Sequence, residues 1–172
     1  REALRFNLEL TDPVSMDLAP EVKTLPPAAP TIGADIFAIM WWSLRLRIWA
    51  WKNDTYKGPL TNIQVFVLYY DPKSYNQLDH SLGLKKGHVC LVNAFASRHQ
   101  NERNNVVIAH EILHTLGAKD KYNYQTLQPR YPDGYADPDQ KPLLPQKQAE
   151  IMARAIPLTD SSLKIPDYLQ DT

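Results

Sequence analysis

Apolar and polar positions alternate cleanly over Leu4-Arg5-Phe6-Asn7-Leu8-Glu9-Leu10, the pattern of a half-buried strand. Pro13, Pro20, Pro26, Pro27 and Pro30 then punctuate residues 12–31 and predict a stiff extended arm, either docked on the body or free of it. From Ala34 to Trp51 the period changes. Phe37, Trp41, Leu44, Ile48 and Trp51 recur at helical spacing and predict a long helix with one apolar face. Within it, Leu44-Arg45-Leu46-Arg47-Ile48 alternates as a strand does, so the second half fits either element. The tryptophans at 41, 42, 49 and 51 fit helix-on-sheet packing better than a carbohydrate or membrane-interface surface.

Asn62 to Tyr70 is rich in β-branched and aromatic residues and predicts a strand that stops at Asp71-Pro72. Residues 73–86 read as a polar loop, and Gly87 to Phe95 as a second strand. A helix of about fifteen residues follows, with an asparagine cap at Asn101 and apolar Val106, Val107, Ile108, Ala109, Ile112, Leu113 and Leu116. Residues 121–149, dominated by Tyr, Pro, Asp and Gln, read as a long irregular loop, a length that is unusual unless functional. Thr159-Asp160-Ser161-Ser162 predicts the cap of a short terminal helix. Strands and helices in this order give an α+β class, and 172 residues at 44% hydrophobic content fit a single domain over 1–172.

The predicted active helix carries the chemistry, in His110-Glu111-Ile112-Leu113-His114-Thr115-Leu116-Gly117-Ala118-Lys119-Asp120. Residues four apart differ by about 40° in azimuth and roughly 6 Å in rise, so His110 and His114 reach one metal ion. Glu111 lies about 100° further round, where a carboxylate meets a metal-bound water without ligating the metal. Gly117 suits the left-handed exit of the helix, after which the chain turns back and offers Asp120 as a third ligand. Two nitrogens and one carboxylate oxygen leave a tetrahedral Zn2+ one open position, as hydrolysis requires. Glu150 is the competing third ligand, as in gluzincins; His80, His88 and His99 precede the motif and fit less well.

The HExxHxxGxx pattern followed by a ligand resembles the metzincin clan of zinc endopeptidases. Asp120 stands where the clan usually has histidine, which is similar to the small secreted bacterial neutral proteases of the snapalysin type, with Tyr122 shortly after it. The resemblance covers residues 104–122. It implies a small zincin fold with a mixed twisted sheet, a long backing helix, an active-site helix and an irregular C-terminal part. It also implies a methionine-bearing turn beneath the metal, for which Met152 in Glu150-Ile151-Met152-Ala153-Arg154 is the candidate. Where several clan members place tyrosine two residues on, this chain has Arg154, either an oxyanion or carboxylate partner or a surface residue. The resemblance further implies that main-chain groups of Leu91, Val92, Asn93 and Ala94 bind an extended peptide by strand addition. The expected activity is endopeptidase hydrolysis through a zinc-activated water, with Glu111 as general base and Tyr122, Tyr124, Tyr131 and Tyr135 as candidate extra donors. A metal-stabilised binding domain without catalysis is the reading from another class.

Charge and cysteine content narrow the partners. Formal net charge is zero, so nothing electrostatic favours nucleic acid or anionic membrane. The one cysteine, Cys90, lies in an apolar run and is expected to be buried and inert. The most apolar run, Ile36 to Leu44, is too short to span a bilayer. The chain opens on Arg1 without a signal-like segment and reads as a processed or trimmed form; the resemblance implies a secreted or extracytoplasmic setting.

Overall fold

A computed structural model describes residues 22–31, 33–54 and 63–172. The strand predicted over residues 4–10 and the start of the proline-rich arm lie outside the described residues. The chain divides into two compact units, Arg1–Gly58 and Pro59–Thr172.

The first unit holds helix α1 (Ile36–Asn53), capped by Asp35, whose carboxylate accepts the Ala38 N–H at 2.9 Å. Residues 44–48 are helical, and Arg47 Nε donates to the Ser43 carbonyl one turn back. The covered face is not the predicted one. Trp42, Leu46 and Ala50 are buried, whereas Phe37 is 78% and Trp51 75% exposed. A helix apolar almost all round gives its periodicity little power to choose a face. Hydrogen bonding supplies a preference instead: Trp42 Nε1 donates to the Pro27 carbonyl at 2.9 Å and Trp49 Nε1 to the Thr24 carbonyl at 3.2 Å. Those bonds tie the end of the proline-rich arm along the helix.

The second unit is α+β, with a mixed three-stranded sheet. Its strands are β1 (Gln64–Tyr70), β2 (Leu82–Leu84) and β3 (Val89–Phe95), in the order β1-β3-β2. β1 runs parallel to β3 with Gln64 opposite Val89, and β2 runs antiparallel to β3 with Gly83 opposite Cys90. Val89, Cys90, Leu91, Val92 and Ala94 are all buried, as expected of a central strand covered on both faces. Full burial of each valine or leucine there contributes about 1.5–3 kcal/mol.

Two sequence expectations change here. Residues 73–86 are not all loop, since β2 lies within them; three residues with a glycine at the centre carry too little pattern to be read as a strand. β3, in turn, is not an edge. The Gln64 N–H bonds the His88 carbonyl and the Ala96 N–H bonds the Tyr70 carbonyl, so even-numbered main-chain groups of β3 face β1. Odd-numbered ones face the other way. There Asn93 N donates to Ser81 Oγ and Phe95 N to Asn104 Oδ1. Strand addition at Leu91, Val92, Asn93 and Ala94 is therefore ruled out, because both sides of β3 are occupied. Among the described residues, the edge on that side is β2.

Helix α2 (Asn101–Thr115) crosses the sheet beside β2 and β3. A 3-10 turn over Arg98–Gln100 leads directly into it, so Asn101 begins the helix instead of capping it. Asn104 anchors this end, its side-chain amide bonding both N–H and carbonyl of Phe95. Beyond α2 the chain is irregular to Ala149 and is organised by buried Gln146, which bonds Asp137 N, Asp137 O and Leu143 O. Strands β4 (Ile156–Pro157) and β5 (Leu163–Lys164) form a small antiparallel pair. The residues predicted to cap a terminal helix form its turn instead, with Thr159 Oγ1 accepting the Ser161 and Ser162 N–H groups. Among the described residues no helix is long and apolar enough to cross a membrane.

Candidate metal centre

α2 ends as its sequence predicts. Gly117 has φ 99°, its N–H bonds the His114 carbonyl, and the Ala118 N–H bonds the Leu113 carbonyl, each at 3.0 Å. This pair of bonds is a Schellman motif. It reverses the chain and presents the Ala118 carbonyl to Nδ1 of His114 at 3.0 Å. Three residues after Gly117, Asp120 arrives opposite the imidazoles.

His110, His114 and Asp120 form one group able to hold a metal ion. The two Nε2 atoms are 3.0 Å apart, and each lies 3.3 Å from Oδ1 of Asp120. Donors bound at about 2.0–2.2 Å to one tetrahedral ion are separated by about 3.3–3.5 Å, close to these sides. Protonation strengthens the fit. His110 Nδ1 donates to the Ile151 carbonyl at 2.9 Å and His114 Nδ1 to that of Ala118, so in the neutral rings both Nε2 atoms carry lone pairs. Burial holds His110 below the ordinary imidazole range, against the opposing effect of the Ile151 bond. Oδ1 of Asp120 is buried and has no hydrogen-bond partner. Three hydrogen-bond acceptors thus converge with no donor among them, an arrangement that a cation satisfies.

Glu111 is buried, at 7% exposure, on the side of α2 that faces β2. Burial pushes its carboxyl up to about 7; His114 pulls the value down, Asp120 raises it, and a hydrogen bond from Gly83 N–H favours the ionised form. Gly83 is required by contact as well. A Cβ there would fall 2.8 Å from the Cβ of His114 and nearer still to the carbonyl oxygen of Glu111.

Met152 is buried in a 3-10 turn, Ile151–Ala153, packed against α2. Its neighbour Ile151 supplies the carbonyl that holds His110. Glu150 lies outside the metal group. Its carboxylate instead bonds Lys121 Nζ and the Met152 N–H, each at 2.8 Å, which removes the case for it as third ligand. His80, His88 and His99 join no such group among the described residues. Arg154 ends the turn at φ 57° with its guanidinium 5.6 Å over the ring of Tyr122. Tyr124 donates to Oδ2 of Asp120, and the Tyr131 hydroxyl turns to the Pro138 carbonyl.

Sequence reasoning missed the supporting carbonyls of Ile151 and Ala118, the role of Gly83, and the bonds of Lys121 and Glu150. Only the Ala118 contact had a signal, since it follows from the glycine exit of the helix. Comparison of the chain with models of protein families, with curated proteins and with solved structures gave no match.

Proposed function

We propose that this protein is a zinc-dependent endopeptidase of metzincin-like architecture, with His110, His114 and Asp120 as ligands and Glu111 as general base. The observation that carries the reading is the unsatisfied, buried Oδ1 of Asp120 facing two imidazole lone pairs. Two imidazoles and one carboxylate suit zinc, and three protein ligands keep one position for water. The ligand side chains are 14–18% exposed, so the centre is within reach of solvent and substrate.

Zinc at this centre supplies a water of lowered pKa and a Lewis acid for the scissile carbonyl. Glu111 moves the protons: it takes one from the attacking water and returns it to the leaving amine. A cation held by the neighbouring ligands favours its carboxylate form, the form required first. Gly83 N–H orients that carboxylate through the bond described above. Met152 serves as the apolar floor of the centre, and Tyr124 is assigned to the third ligand, not to the oxyanion.

Metal content and peptidase activity test the reading together. Asp120→Ala is expected to lose zinc on dialysis, and Glu111→Gln to retain it while activity falls by about 10²–10⁴-fold. Unchanged activity in Glu111→Gln would remove the mechanism. Tight zinc with no cleavage of a broad peptide mixture would indicate a metal-stabilised binding domain.

A further inference from the structure

We propose that Glu150, with Lys121, is a positioning clamp that orients His110 from outside the metal centre. The inference rests on the zinc reading above and assigns work to two residues that the mechanism leaves idle.

The two histidine ligands are held in physically different ways. His114 finds its acceptor four residues on, at Ala118, inside the turn that ends its own helix. Helix formation and the Gly117 exit are enough to place that carbonyl. His110 finds its acceptor at Ile151, 41 residues away. That carbonyl is only as well placed as the turn carrying it. The turn is a single 3-10 turn, Ile151–Ala153, which packs against α2 but is entered from irregular chain and belongs to no longer helix or strand.

Glu150 supplies the missing constraint. One carboxylate oxygen, Oε2, accepts the Met152 N–H at 2.8 Å and so closes the turn around the Ile151 peptide. The other, Oε1, accepts Lys121 Nζ at 2.8 Å. Lys121 is the residue after the Asp120 ligand. Its own N–H donates to the Met152 carbonyl at 3.0 Å, and its carbonyl accepts from Arg130 N at 2.7 Å. The segment that brings Asp120 is therefore joined to the turn that holds His110 by one main-chain bond and one ion pair. A part-buried ion pair still open to solvent contributes little by itself. The geometric consequence matters more: the Ile151 carbonyl, and with it the plane of the His110 ring, is referenced to the third ligand. Partners of ligand residues typically change metal affinity by about 10–100-fold when removed.

The test compares wild type, Glu150→Ala, Glu150→Gln and Lys121→Met by zinc affinity in chelator competition and by the visible spectrum of the cobalt(II)-loaded protein. The spectrum reads ligand geometry and not mere stability. Glu150→Ala is expected to bind zinc about tenfold or more weakly with an altered cobalt spectrum. Glu150→Gln, which keeps an acceptor for the Met152 N–H, should stay within about 3-fold of wild type. Lys121→Met should fall between them. Wild-type affinity and spectrum in Glu150→Ala would overturn the clamp while leaving the metal centre intact. Failure of the wild-type protein itself to bind zinc or cobalt would overturn both. Should Glu150→Ala not fold, Lys121→Met decides, and a wild-type spectrum and affinity there would overturn the proposal.

Discussion

The Tyr124 hydroxyl donates to Oδ2 of Asp120 across 2.8 Å, leaving Oδ1 as the oxygen turned to the two imidazoles. One phenol thereby selects which carboxylate atom is available to a cation. The same bond raises the tyrosine pKa, since the neighbouring carboxylate favours the protonated phenol. Tyr124→Phe is expected to weaken zinc binding by about tenfold, with the far-UV circular dichroism unchanged. Chelator competition reads the affinity, and a wild-type constant would show that Asp120 needs no such restraint.

Glu111 makes the metal-free protein sensitive to pH. Its carboxyl value is raised from 4.5 to about 7 on folding, so the folded state binds more protons between these values. The associated stability is fully present below 4.5 and is lost as pH rises through about 7. The loss is of order 3 kcal/mol. Urea titrations of chelator-treated protein should therefore show Glu111→Gln gaining on wild type as pH is raised from 5 to 8. Parallel curves for the two proteins would mean that Glu111 is better solvated than its burial indicates.

Close approach of β2 and α2 depends on Gly83. An added methyl would press on the Glu111 carbonyl and the His114 Cβ, both on one side of α2. Neither atom is the far end of a flexible side chain, so the helix itself must move. Gly83→Ala is expected to cost about 1–3 kcal/mol in denaturant unfolding and to weaken zinc binding as well. A variant as stable as wild type would place the helix further from the strand than described.

Metal should stabilise the fold. A ligand held only by the folded state adds about 2.7 kcal/mol at a hundred times its dissociation constant. Thermal unfolding with and without zinc should show this shift in wild type and lose most of it in Asp120→Ala. Equal shifts in the two proteins would mean that zinc binds elsewhere.

The sequence exposed the centre because its determinants are local. His110, Glu111, His114, Gly117 and Asp120 lie within eleven residues, and helix geometry with one glycine exit brings the two imidazoles and the Asp120 carboxylate together. The long helices and two longer strands were legible from period and from proline or glycine stops. What escaped depends on pairing partners that the segment's own pattern does not encode. β2 is three residues whose identity as a strand comes from its partner β3. The covered face of α1 was misread because its apolar residues surround the axis, and two indole N–H groups bond to the arm at Thr24 and Pro27. The partner of His110 lies 41 residues on, which no local pattern encodes.

Cys90 lies fully enclosed opposite Gly83, and burial, with the charge of Glu111 second, pushes its thiol up to about 12. Such a sulfur carries almost no thiolate at neutral pH. Alkylating inhibitors aimed at cysteine enzymes should therefore leave this sulfur untouched, and an oxidising or reducing milieu should make little difference to it. If the proposed zinc peptidase reading holds, any sensitivity of that activity to a small thiol reagent would report capture of the metal, a chemical signature that separates metal-dependent from cysteine-dependent peptidases at the bench.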